Sequence, residues 1–174
     1  MKIVSIFEDK LWAFHYEGEK FNEYDRLMEL WTDMDYLFTF LKQNEKDIPK
    51  EVSLEEMALH ISSDVEVIDY TLVAIASTKS GSLSHFFKPL HNREHRTRVL
   101  SLQKGREDCL RIYAIKIDTN TFVITGGAIK LPLQHLMQER MHTAKELNKL
   151  NRAYAYLSGE NIIDEDSFFE FLNE

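Results

Sequence analysis

The sequence predicts an α+β fold on three observations: β-prone runs open the chain, long stretches of helical apolar spacing follow, and a strongly apolar strand pair comes after them. The opening runs, Met1–Phe7 and Leu11–Tyr16, are separated by Glu8–Lys10 and read as an N-terminal β-hairpin. From about Tyr24 to Gln43, Leu27, Leu30, Trp31, Met34, Leu37, Phe38 and Leu41 recur at threes and fours, the stripe of one long amphipathic helix. Ser53 and Glu56 have capping-box spacing ahead of Leu54, Met57, Ile61, Val65, Ile68, Leu72 and Ile75, which predicts a second long helix, with Ser62–Ser63 the place where it would break. The serine-rich stretch 77–84 reads as a mobile connector, and Arg98–Gln103 as a strand entering the sheet. The apolar hairpin Cys109–Lys130 comes next, then a loop through Pro132. Thr143 and Glu146 have capping-box spacing on a helix His142–Leu157, whose stripe is Leu147, Leu150, Tyr154 and Leu157. Asp164–Leu172 predicts a short last helix with acids near its positive end.

At 174 residues and 44% apolar content the chain suits one domain with a real core. No stretch approaches the roughly 20 apolar residues that span a bilayer, and no basic-then-apolar leader opens the chain. The expectation is a cytoplasmic protein with no membrane partner. Cys109 is the only cysteine, which excludes an internal disulfide and a cysteine-rich zinc site and leaves it the role of small strand filler. Glycine-rich nucleotide loops and a nucleophile elbow are missing from the sequence. His91 and His95 are spaced as zinc ligands on a helix would be, but their surroundings are polar all round and no glutamate completes an HExxH pattern. Neither a metal nor a cofactor is expected.

The net charge of −8 argues against a polyanionic partner, yet it is an average over unlike segments. Residues 1–84 carry 8 basic and 17 acidic side chains, residues 85–157 carry 13 and 6, and residues 158–174 carry 0 and 6. A segment of +7 therefore lies between segments of −9 and −6, and it also holds His85, His91, His95, His135 and His142. This points to an anion-binding face, with acidic material available to shield it; the tail could fold over that face.

Within the hairpin, a two-residue Thr119–Asn120 loop would set Asp118 opposite Thr121. Alternation then puts Arg111, Tyr113, Ile115 and Ile117 on one face, opposite Ala128, Gly126, Ile124 and Phe122, with Lys130 on the same side. Arg111, Tyr113 and Lys130 converge where Gly126 and Ala128 leave space above the sheet. A guanidinium, a phenol and an ammonium over a small-residue floor suit a phosphodiester. Lys104, Arg106 and Lys116 are candidates to extend the surface as RNA-binding residues.

The run Leu110–Lys130, followed by a loop and the helix His142–Leu157, resembles the RelE/HigB-like toxins of bacterial type II toxin–antitoxin systems, nearest their phage-derived branch. The order of features carries the resemblance: an arginine-bearing strand, a tight turn, an apolar strand reaching a glycine, a lysine, and a Glu-containing helix rich in Ala and Leu. It covers about Cys109–Leu157. The resemblance implies a small twisted antiparallel sheet packed by helices, and an mRNA endoribonuclease, often ribosome-dependent, that cleaves by attack of the 2′-hydroxyl on the adjacent phosphate. It also implies an antitoxin partner, a helix-turn-helix protein in many pairs, besides mRNA or the ribosome. Arg111 would stabilise charge on the phosphate and Lys130 would bind phosphate or donate a proton; Tyr113 joins them by position. Residues 1–174 would form a single RelE-like domain with an acidic helical insertion at about 22–77 and an acidic C-terminal segment at 158–174. The alternative is a non-catalytic interaction module on a RelE-like or other α+β scaffold.

Overall fold

The computed structural model describes residues 1–90, 100–136 and 140–174. Its strands are β1 (Lys2–Phe7), β2 (Leu11–His15), β3 (Phe87–Pro89), β4 (Ser101–Glu107), β5 (Leu110–Asp118) and β6 (Thr121–Ile129). They form one sheet in the order β1-β2-β6-β5-β4-β3, in which β2 and β6 run parallel and every other pair is antiparallel. The helices are α1 (Glu23–Leu30), α2 (Met34–Gln43), α3 (Leu54–Ser77), α4 (Met141–Gly159) and α5 (Glu165–Asn173). The fold is α+β. Its sheet is mixed rather than purely antiparallel, because the chain crosses through α1, α2 and α3 before returning to set β6 beside β2.

The sheet is covered on both faces, which is why β5 and β6 read as nearly continuous apolar runs. On one face Leu11, Leu110, Ile112, Ala114, Phe122 and Ile124 meet the apolar sides of α1, α2 and α3. Tyr113, Ile115, Ile117, Val123 and Ala128 meet Leu150, Ala153 and Leu157 of α4 and Phe168 of α5 on the other. Fully burying each of the valine, leucine, isoleucine and phenylalanine side chains among them is worth about 1.5–3 kcal/mol, so the two cores together hold the sheet in place.

Several elements differ from the expectation. The first helix is two, because Asp33 accepts a hydrogen bond from the Tyr36 amide at 3.2 Å and caps a new start, while Asn22 caps α1 by accepting from the Asp25 amide at 3.0 Å. The second helix is unbroken through Ser62–Ser63: serine inside a helix costs well under about 1 kcal/mol, and the buried Ile61 and Val65 on either side offset it. The Thr143/Glu146 capping box does not form. Arg140 stands at the N-cap, and Thr143, inside the first turn, donates to the Arg140 carbonyl and accepts from Gln134, each at 3.0 Å. The serine-rich connector is tied down: Asn120, in the β5–β6 turn, accepts from the Leu83 amide at 3.1 Å and donates to the Gly81 carbonyl at 3.3 Å, and Leu83 is buried. The strand placed at Arg98–Gln103 is β4, running Ser101–Glu107, so Lys104 and Arg106 lie in a strand; Arg98, His91 and His95 lie outside the described residues. Cys109 is buried in the β4–β5 turn, where burial pushes its thiol up to about 11.

The hairpin register is the most informative correction. Asp118 pairs with Thr121, Tyr113 with Gly126 and Arg111 with Ala128. Between them the pairs are Ala114 with Ile124, Ile115 with Val123 and Lys116 with Phe122, because two irregularities, at Ile117 on β5 and at Thr125 on β6, compensate each other. Ile124 and Phe122 therefore face α1–α3, not the side that carries Arg111 and Tyr113, and Val123 takes the place expected for Ile124. Simple alternation cannot show a paired bulge that leaves both ends of the hairpin in register.

Candidate nucleic-acid interface

Register brings four cations to the open end of the β4–β5–β6 ladder. Lys104 pairs with Tyr113 and Arg106 with Arg111, so Lys104, Arg106, Arg111 and the uncharged Tyr113 leave the same face of the sheet, the one that carries α4, and Lys130 follows the end of β6. Arg106 is exposed, while Lys104 and Lys130 are half-buried. Burial lowers the Lys104 ammonium below the ordinary lysine range, and the charges of Arg111, Lys130 and Arg106 lower it further. Among the described residues neither Lys104 nor Arg106 forms an ion pair.

Arg111 plays a different part. Only 6% of it is exposed, and its Nη1 donates to the Leu110 carbonyl at 3.0 Å and to the Asp108 carbonyl. Asp108 holds a left-handed backbone, φ 46°, which aspartate tolerates better than most residues. The guanidinium thus braces the β4–β5 turn and adds fixed positive charge behind Lys104. Tyr113 is fully buried, its hydroxyl has no hydrogen-bond partner among the described residues, and burial drives its pKa far above the ordinary range. It is the floor of the cluster and not part of its contact surface. Lys116 does not join it: it points to the other face, 5.9 Å over the Phe122 ring near the hairpin turn.

The two glycines answer to packing. A Cβ on Gly126 would stand 2.3 Å from Glu146 Oε2 of α4, and one on Gly127 would stand 2.6 Å from the Arg111 carbonyl and 2.8 Å from Leu27 Cδ1 of α1. One glycine admits a helix on each face, so the space expected above Gly126 is occupied by a carboxylate.

That carboxylate belongs to a second charged group, which sequence reasoning did not single out. β2 pairs with β6 only as far as Ile124, so the remaining edge of β6 needs a cover. Tyr16 donates to the Thr125 carbonyl at 2.7 Å, and His142, whose pKa burial lowers, donates from Nε2 to the Ile129 carbonyl at 3.0 Å. Glu23, 1% exposed, accepts from Arg26 Nε at 2.9 Å, from Arg26 Nη2 at 2.8 Å and from Lys149 at 2.7 Å. Lys149 also lies 3.4 Å from Glu146, which Arg26 approaches to 3.7 Å. These four side chains tie α1 to α4 across the edge of β6. The sequence signals for their pairing are the i,i+3 spacings Glu23–Arg26 and Glu146–Lys149, too common to single out.

The acidic last helix docks away from the cations. Phe168 packs edge-on to Trp12, with ring centroids 5.7 Å apart, and Thr121 donates to Glu165 at 2.7 Å, all near the hairpin turn. Among the described residues no helix is long and apolar enough to cross a membrane. No family model, curated protein or solved structure matches the chain.

Proposed function

We propose that the open end of the β4–β5–β6 ladder binds the RNA phosphate backbone, and that the protein is a RelE/HigB-like endoribonuclease acting there. The observation that supports this reading is the convergence of Lys104, Arg106 and Arg111 on one sheet face with the charge of Lys130 acting on Lys104, while Lys104 and Arg106 lack carboxylate partners among the described residues. Cations held close together repel one another, and a phosphodiester relieves that repulsion.

The chemistry would be an internal transesterification. Lys104, half-buried at the centre of the cluster with its ammonium held below the ordinary lysine range by burial and neighbouring cations, would take the proton of the 2′-hydroxyl. The 2′-oxygen forms a bond to phosphorus as the bond from phosphorus to the 5′-oxygen breaks, leaving a 2′,3′-cyclic phosphate and a 5′-hydroxyl. Lys130 donates the proton that the leaving oxygen requires. Arg106 orients the phosphate, and the buried Arg111 contributes fixed charge to the transition state without leaving its carbonyl partners.

A second reading rests on the burial of Tyr113 and the engagement of Arg111: a face that binds an acidic partner, an antitoxin among the candidates, without cleaving RNA. Incubating the purified chain with single-stranded RNA separates the two. Products ending in 2′,3′-cyclic phosphate, absent with Lys104→Ala, support the nuclease; salt-sensitive binding without products supports the binding module. A wild-type protein that neither binds nor cleaves RNA removes the primary reading.

A further inference from the structure

On the opposite side of the β4–β5 turn three ligand-type side chains converge. His60 and Asp64 lie one turn apart on α3, and Asp108 reaches them from the turn. His60 Nε2, an Asp64 oxygen and an Asp108 oxygen all lie within 4.8 Å of one another. One imidazole nitrogen meets both carboxylates, with Asp108 as its hydrogen-bond partner and Asp64 Oδ2 at 3.3 Å. A nitrogen carries one proton and can donate it once. Asp64 is 7% exposed, and its Oδ2 is buried with no hydrogen-bond partner among the described residues; its one cation there is the half-exposed His60 at 3.3 Å, which Asp108 shares.

A buried carboxylate oxygen left without a donor costs free energy unless a cation satisfies it. Burial disfavours the charged form of Asp64, the His60 imidazole offsets that in part, and Asp108 and Glu107 add negative charge beside it. Two ligands held at about 2.1 Å from one divalent ion stand about 3.0–3.5 Å apart, which is the spacing of the imidazole nitrogen and the Asp64 oxygen. We propose that His60, Asp64 and Asp108 form a binding site for a divalent first-row transition ion of the manganese or zinc type. The imidazole favours such an ion over calcium or magnesium, and three protein ligands leave coordination positions for water or substrate. The same Asp108 offers its carbonyl to Arg111, so the ion would fix the turn that braces the cationic face.

Calorimetric titration of the chelator-stripped full chain with Zn²⁺ and with Mn²⁺ tests the site. The expected result is saturable binding of at least one of the two ions at one site, weakened about tenfold or more by Asp64→Asn and by His60→Gln, and unchanged by Glu66→Gln on an exposed part of α3. His60 is about half exposed, so His60→Gln keeps the test informative even where Asp64→Asn disturbs folding. Broadening of the His60 ring resonances by Mn²⁺ would place the ion directly. Wild-type protein that saturates with neither ion, or a His60→Gln variant that binds as wild type does, would overturn the proposal.

Discussion

Two charged regions flank the same pair of strands and are built in opposite ways. Across the edge of β6, Arg26 and Lys149 both rest on the buried carboxylate of Glu23, and Glu146 closes the group. At the end of β4, Lys104 and Arg106 have no such partner among the described residues, and the charged neighbours that act on Lys104 are other cations. The first arrangement satisfies itself and welds α1 to α4. The second is left wanting an anion. Charge that is paired within the fold maintains structure, whereas charge of one sign that a rigid sheet holds together is available to a ligand.

The largest effect expected from this contrast is at Glu23. Glu23→Ala removes the buried carboxylate that both cations share, leaves them only the more distant Glu146, and should cost about 3 kcal/mol in urea unfolding; a loss below about 1 kcal/mol would mean that the edge is held by packing alone. Asp47 comes next. Its carboxylate is held below the ordinary range by Arg140, whose Nε donates to it at 2.7 Å. A folded-state pKa below the unfolded value stabilises fully above the unfolded value, about 3.9, and this stabilisation is lost as pH falls through the folded one. Asp47→Asn should therefore lower stability near neutrality by about 1.5–3 kcal/mol and flatten the acid limb in urea midpoints measured between about pH 2 and pH 7. An acid limb that keeps its shape in the variant would show that Asp47 does not set it.

Gly126→Ala should cost about 1–3 kcal/mol, because the new methyl group must displace the Glu146 carboxylate. Pairing it with Glu146→Ala in a double-mutant cycle should recover part of that loss, and strict additivity would show the two sites to be independent. The smallest change in stability belongs to the other region. Lys104→Ala with Arg106→Ala should stay within about 0.5 kcal/mol of wild type per site, while lowering the slope of log affinity for RNA against log salt by about one for each phosphate that is no longer neutralised. Equal salt slopes would collapse the distinction between the two regions.

Much of this organisation is legible in the residues. The apolar spacing of α3, the turn at Thr119–Asn120 and the pairing of Arg111 with Ala128 follow from local rules of period and turn length. The nearness of Arg111 to Lys130 follows from them in turn, whereas Lys104 and Arg106 join through the β4–β5 register, in a strand that runs four residues past the expected end at Gln103. What stays hidden depends on partners far along the chain. The bulge at Thr125 reverses the faces of Phe122 and Ile124 without disturbing either end of the hairpin, and its carbonyl is satisfied by Tyr16 from another strand region. Glu146 has the spacing of a capping residue, and only the arrival of Glu23, Arg26 and Lys149 shows its actual use. His60 and Asp64 do show metal-ligand spacing, but the third group, Asp108, comes from a turn on the other side of the connector.

Mapping of new mRNA 5′ ends in bacteria induced to express the wild-type chain or its Lys104→Ala variant decides whether the cationic end of the sheet cleaves RNA. New 5′-hydroxyl ends with the wild type, lost with Lys104→Ala at equal soluble protein, are the predicted result. An intact message beside abundant soluble wild-type protein would contradict the account.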